Sequence, residues 1–356
     1  MAGRCETRTD ERRRRQASFR PGRGLFAFRG GEALTIETTV VGSYPKPPAE
    51  GTTFRLRKTL HALERGDATP DDLEDARNEL VREVIAEQEA AGVDIVSDGQ
   101  ARWDDLVTPF ARNMAGFEIG GLLRWFDNNV YYRRPICTGA LEWRGPSSVE
   151  AFSYAHSVAS RPVKAIIPGP VTFAHLSVDE HYKDHEKFVL ALASVLAQEA
   201  FELEAAGATI IQFDEPALLG APEDLDLARR ALEVVVADLG SAETVVATYF
   251  GDAKRLGTEL FRLPVNGFHL DLVAGPENLE LIREFPSDRR LQAGILDARN
   301  TRLEDEGVLA GQTDRLTEAV GDNLRLAPSC GLEFLPREKA RAKLELLGRI
   351  SGRVGA

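Results

Sequence analysis

The chain has 356 residues, 43% of them hydrophobic and 28% charged, an ordinary balance for a globular protein and too apolar for wholesale disorder. Its formal net charge of -12 argues against binding to nucleic acid or to an anionic membrane, since both require a basic face. Cys5, Cys137 and Cys330 lie far apart and form no disulfide framework, and no apolar run reaches the roughly 18 residues of a membrane span, so a reducing, cytoplasmic location is expected.

The first segment differs from the rest. Residues 1–34 hold nine Arg against four acids, a balance of +5 that leaves -17 for the remainder. The Arg12–Arg15 run and scattered Gly show no sustained period, which predicts a disordered, solvated basic tail over 1–34 and a single folded domain over 35–356.

From Thr38 onward short β-branched runs alternate with amphipathic stretches. The runs are TTVVGS (38–43), DIVSDG (94–99), KAIIPG (164–169), TIIQFDE (209–215), TVVATYF (244–250), GFHLDLV (267–273), LQAGILDA (291–298) and RLAPSC (325–330). Between them the spacing predicts helices over 71–92, with a stripe of Leu73, Ala76, Leu80, Val84 and Glu87, and over 187–207. Eight such units in about 320 residues predict an α/β fold, the TIM (β/α)8 barrel. The aromatic, Gly-rich stretch 117–147 is expected as an irregular or hairpin excursion over the barrel mouth.

Barrel chemistry sits at the C-terminal ends of the strands. The runs end in Ser43, in Gln100, in Asp214 and Glu215, in Tyr249 and Phe250, in His269 and Asp271, and in Ser329 and Cys330. Adjacent Asp214 and Glu215 must point to opposite faces of a strand, so they are no facing acid/base pair. Asp214 suits a substrate ammonium, although a carboxylate capping a neighbouring loop or helix is the plainer reading of the two. His269, Asp271 and Cys330 offer N, O and S donors to a borderline metal such as zinc, set against the commoner outcome of a buried histidine bonded to backbone.

The segments TTVVGSYPKP, GVDIVSDGQARWDDLV, IPGPVTF, GATIIQFDEPAL and APSCGL, in this order, resemble the cobalamin-independent methionine synthase family. The resemblance covers about residues 36–350. It implies methyl transfer to a thiol, normally that of homocysteine, from a methyl-folate or a methyl-corrinoid protein. By position it implies that Val41, Ser43, Gln100 and Asp214 hold the amino-acid substrate and that Arg133 and Arg134 face the donor. It also implies zinc, which removes a thiol proton near neutral pH. The departures are specific: Thr248 and Phe250 replace a His-x-Cys pair, Asp271 replaces a Glu, and Cys330 alone is kept. These departures resemble the N-terminal barrel of the long enzymes of the family. They leave two further readings, a noncatalytic barrel that binds an amino acid or folate and another thiol alkyltransferase or lyase on the same scaffold.

Overall fold

The computed structural model describes residues 36–46, 54–126, 128 and 130–352. The expected tail over 1–34 lies outside them, as does Cys5. In chain order the strands are β1 (Glu37–Thr38), β2 (Met114–Arg124), β3 (Tyr131–Trp143), β4 (Ala165–Pro168), β5 (Val178–Asp179), β6 (Ile210–Asp214), β7 (Glu243–Thr248), β8 (Gly267–Asp271), β9 (Arg290–Leu296) and β10 (Leu324–Pro328). Seven of them form one parallel sheet in the order β1-β10-β9-β8-β7-β6-β4.

The run 94–99 completes the ring without becoming a full strand. Thr39 bridges Ile95 and Val96 bridges Val163, just before β4, both in parallel sense. Side chains take the backbone groups that a ladder would otherwise pair. Asp94 Oδ2 accepts from the Thr38 N–H at 2.9 Å, Ser97 Oγ donates to the Gly42 carbonyl at 2.6 Å, and the Gln88 amide bonds both the N–H and C=O of Ser97 at 3.0 and 2.9 Å.

Helices cover the outside of the sheet. The helix Pro70–Ala90 starts at a capping box in which Thr69 and Asp72 satisfy each other's backbone N–H, with Pro70 in the first turn. Leu73, Ala76, Leu80 and Val84 are buried as the stripe predicts, and each large aliphatic side chain taken from water contributes about 1.5–3 kcal/mol. Glu87 stays at the stripe's edge and accepts from the Tyr44 hydroxyl at 2.9 Å and from Arg337 Nε at 3.1 Å. The second long helix spans His185–Ala205, and Asp184 accepts the Lys187 N–H as its cap. No described helix is long and apolar enough to cross a membrane.

The excursion is an antiparallel hairpin of β2 and β3, tied back by the parallel pair β3–β5. The barrel interior is polar in its middle and at its lower end. Fully buried Lys164 donates to the Val40 carbonyl at 2.5 Å, to Gln212 Oε1 at 2.7 Å and to Gln292 Oε1 at 3.2 Å. Toward the strand starts, Arg325 of β10 bonds Glu37 of β1 at 2.8 Å and Glu243 of β7 at 2.5 Å.

Candidate active site

Strand ends, the loops beyond them and the hairpin enclose a cavity of about 220 Å³ at the C-terminal end of the sheet. Val41, Ser43, Gln100 and Asp214, the four residues expected to hold a substrate, all line it. Asp214 is the last residue of β6. Its Oδ1 accepts from Gln212 Nε2 at 2.7 Å and its Oδ2 from the Tyr249 hydroxyl at 3.0 Å. Burial pushes its carboxyl up to about 7, against those two hydrogen bonds and the Lys164 charge. Gln212 Nε2 also donates to the Val41 carbonyl at 2.7 Å, which leaves one lone pair of that carbonyl for a ligand. The bonds from Lys164 through Gln212 to Asp214 therefore form a continuous line along the barrel axis.

The two adjacent acids part as the strand requires. Glu215 turns away from the cavity and accepts the N–H groups of Val171 and Thr172 at 3.0 and 2.7 Å, capping the short helix Pro170–His175. Gly169 makes this cap fit, because a Cβ there would stand 2.1 Å from Glu215 Cδ. Glu215 thus follows the plainer, capping reading, while Asp214 keeps its face to the cavity.

Lys46, Trp103 and Glu333 are among the lining residues that the sequence does not single out. Lys46 Nζ donates to the Trp103 carbonyl, and burial draws its pKa below the ordinary lysine value against the pull of Asp104, Asp105 and Glu333. Glu333 accepts from the Ser43 hydroxyl, and burial pushes its carboxyl up. Trp125 and Tyr131 of the hairpin add aromatic surface to the same cavity. Of the four carboxyl groups that line the cleft, Asp104 is paired with Arg112 and Asp105 accepts from Thr108 and from the Val107 and Arg133 N–H groups, which leaves Asp214 and Glu333, with the Lys46 ammonium and the aromatic walls, to seat a zwitterion with a nonpolar side chain. The non-glycine residues with left-handed backbone at this end include Gln100 at φ 50°, Phe126 at φ 44° and Phe250 at φ 76°, and such strain concentrates where a side chain must be aimed.

The structure does not bring His269, Asp271 and Cys330 together as a zinc ligand set. Their ligating atoms do not gather within 4.8 Å of one another. Asp271 spends its carboxylate on the backbone N–H groups of Phe250, Val273 and Ala274 at 3.1, 2.9 and 2.8 Å. His269 Nε2 donates to the Ser329 carbonyl at 3.0 Å, and burial pulls its pKa down to about 4, so the ring is neutral with Nδ1 left without a partner. The fully buried Cys330 thiol lies 3.5 Å from the Gly331 carbonyl and is pushed well above its ordinary pKa by burial, which leaves it unionised. Phe250 packs against Tyr249, Phe126 and Phe334 at ring separations of 4.7, 5.6 and 5.9 Å. An aromatic cluster occupies the neighbourhood where the resemblance implies a metal, and the residues present do not fit that ion.

Arg133 and Arg134 belong to β3 and do not line the cavity. The Arg133 N–H donates to Asp105 at 3.2 Å and its carbonyl accepts from Thr108 Oγ1 at 3.1 Å, so it is the backbone here that holds the hairpin to the loop.

Comparisons with known proteins bear on the family and the fold. A family model described as the catalytic domain of cobalamin-independent synthase matches residues 36–352. The methionine synthase of Saccharolobus solfataricus is 33% identical over 312 residues, 87% of this chain and 92% of that protein. That of Sulfolobus acidocaldarius is 31% identical over 317 residues, 88% of this chain and 90% of that protein. Among solved structures, a B12-independent methionine synthase from a Shewanella species in complex with selenomethionine superposes with a TM-score of 0.76 at 24% identity, over 90% of this chain and 97% of that one, a likeness of fold. With the match running almost from the first described strand to the last helix, the chain belongs to the cobalamin-independent methionine synthase family.

Proposed function

We propose that this chain is a methyltransferase that moves a methyl group to the thiol of homocysteine or a closely related amino acid. The observation that carries the reading is Asp214, a carboxyl buried at the floor of the cleft with its partners beneath it and the cavity in front. In this reading Asp214 pairs with the substrate ammonium, and Gln100 assists as a neutral amide. The Ser43 hydroxyl and the free lone pair of the Val41 carbonyl take hydrogen bonds, Lys46 faces the substrate carboxylate, and the aromatic walls receive the side chain and the donor. Arg133 and Arg134 stay outside the contact set and act through the hairpin they belong to. The same reading takes the protein to be cytoplasmic, where both the thiol and a reduced donor are kept available.

Among the described residues the cleft offers no ligand set for zinc. That same observation favours a second reading, a barrel that binds the amino acid without turnover. One experiment separates them: purify the full chain without a histidine tag, then follow methylation of homocysteine with methyl-folate and with a methyl-corrinoid protein as donors. Methionine formation that Asp214→Asn abolishes supports the methyltransferase. Thermal stabilisation by homocysteine or methionine with no product from either donor supports the binding barrel, since a ligand that prefers the folded state raises its stability.

A further inference from the structure

A second group of donor atoms lies outside the cleft. His175 ends the short helix Pro170–His175 after β4, His185 opens the helix His185–Ala205, and Asp224 ends the turn Pro222–Asp224 after β6. The Nε2 atoms of the two histidines stand 2.7 and 2.9 Å from one oxygen, Asp224 Oδ2, and their ring centroids are 5.2 Å apart. All three belong to segments that follow strand ends, so they share the cleft's end of the sheet while lining none of the cavity. Their side chains are 37%, 44% and 14% exposed, so the histidines are open to an incoming ion and the carboxylate is largely shielded.

Two imidazole nitrogens and one carboxylate oxygen are the donors a borderline divalent ion takes when one position is left to water. Calcium and magnesium, which prefer all-oxygen cages, are disfavoured by the same set. Ligands about 2.0–2.1 Å from a tetrahedral ion stand roughly 3.3 Å from each other. The observed separations are shorter by about half an ångström, a retreat that two exposed imidazoles make by small rotations. Each ring donates a hydrogen bond to Asp224, which holds the group assembled.

We infer that His175, His185 and Asp224 form a rim site for zinc or a similar borderline cation, which clamps the segment after β4 to the segment after β6. Nothing in this site depends on the methyltransferase reading, and failure of that reading leaves it standing. Cobalt(II) alone is the probe. Titrated into the metal-free full chain, it is expected to bind at one equivalent with visible ligand-field bands and without the near-ultraviolet sulfur-to-cobalt transition that ligation by Cys330 would add. Zinc should displace it. His175→Gln and His185→Gln should each weaken binding at least about tenfold, while Cys330→Ser leaves it unchanged. Zinc should also raise the melting temperature of the wild type and of Cys330→Ser but not of either histidine variant. No cobalt uptake by the wild type, uptake that survives both histidine variants, or a sulfur band lost with Cys330→Ser would each overturn the inference.

Discussion

Burial and partnership pull Asp214 in opposite directions, and burial wins: its carboxyl titrates at about 7 despite two donors and a nearby lysine. A carboxyl protonated below that value cannot pair with an ammonium. Binding of homocysteine is therefore expected to tighten as pH rises through 7, measured by calorimetry, and a flat profile would refute the assignment. Asp214→Asn should weaken binding about 30-fold or more, equivalent to ~2 kcal/mol for losing one partner of a buried charge pair, and should remove the pH slope. That Ser43, Gln100 and Asp214 line the cavity was legible in the sequence, because they stand at the ends of β-branched runs, where a barrel opens its mouth. Lys46 and Glu333 were not, since each lies three residues past such an end, in a loop whose path no periodicity reveals. His269 and Asp271 were misleading for a local reason. Their two-residue spacing does put both on one face of β8, yet Asp271 is its last residue and its carboxylate caps the turn that follows.

Among the strands, Lys164 just before β4, Gln212 of β6 and Gln292 of β9 form a polar layer inside a barrel whose interior is commonly branched and apolar. Lys164→Met would leave two amide oxygens and the Val40 carbonyl short of a donor, a cost of about 1–3 kcal/mol near pH 7. Burial lowers the Lys164 pKa to about 7, so between 7 and the ordinary value of 10.5 the unfolded chain holds a proton that the folded chain does not. Wild-type stability from this group therefore rises with pH across that window, and the deficit of Lys164→Met should widen as pH rises in urea unfolding. A deficit that narrows would contradict the buried neutral amine. The long helices were readable from their apolar stripes, and the hairpin from its aromatic and Gly-rich composition. The run 94–99 reads as a strand because it is β-branched, but its ladder is displaced by bonds from Gln88, Ser97 and Asp94, partners that no local pattern discloses.

Across the whole molecule, the ring is joined by its first and last strands. Arg325 reaches Glu37 on one side and Glu243 on the far wall, binding three strands at the lower end of the barrel. Arg325→Ala should cost about 1–3 kcal/mol in chemical unfolding, less than a wholly buried pair because Glu37 is 50% exposed; an unchanged midpoint would show the pair contributes nothing. The join between β1 and β10 also orders events in time. Thr38 pairs with Leu326, so the strand leading into Val41 and Ser43, which meets the run 94–99 early, meets its second neighbour only when the tenth strand has left the ribosome. At about 5–20 residues per second that interval is roughly 15–60 s, during which β1 keeps an unpaired edge of the kind that invites mispairing. The wall of the cleft is thus among the last parts of the chain to be finished, and a translation product that stops short of β10 has neither a closed ring nor a place for its substrate.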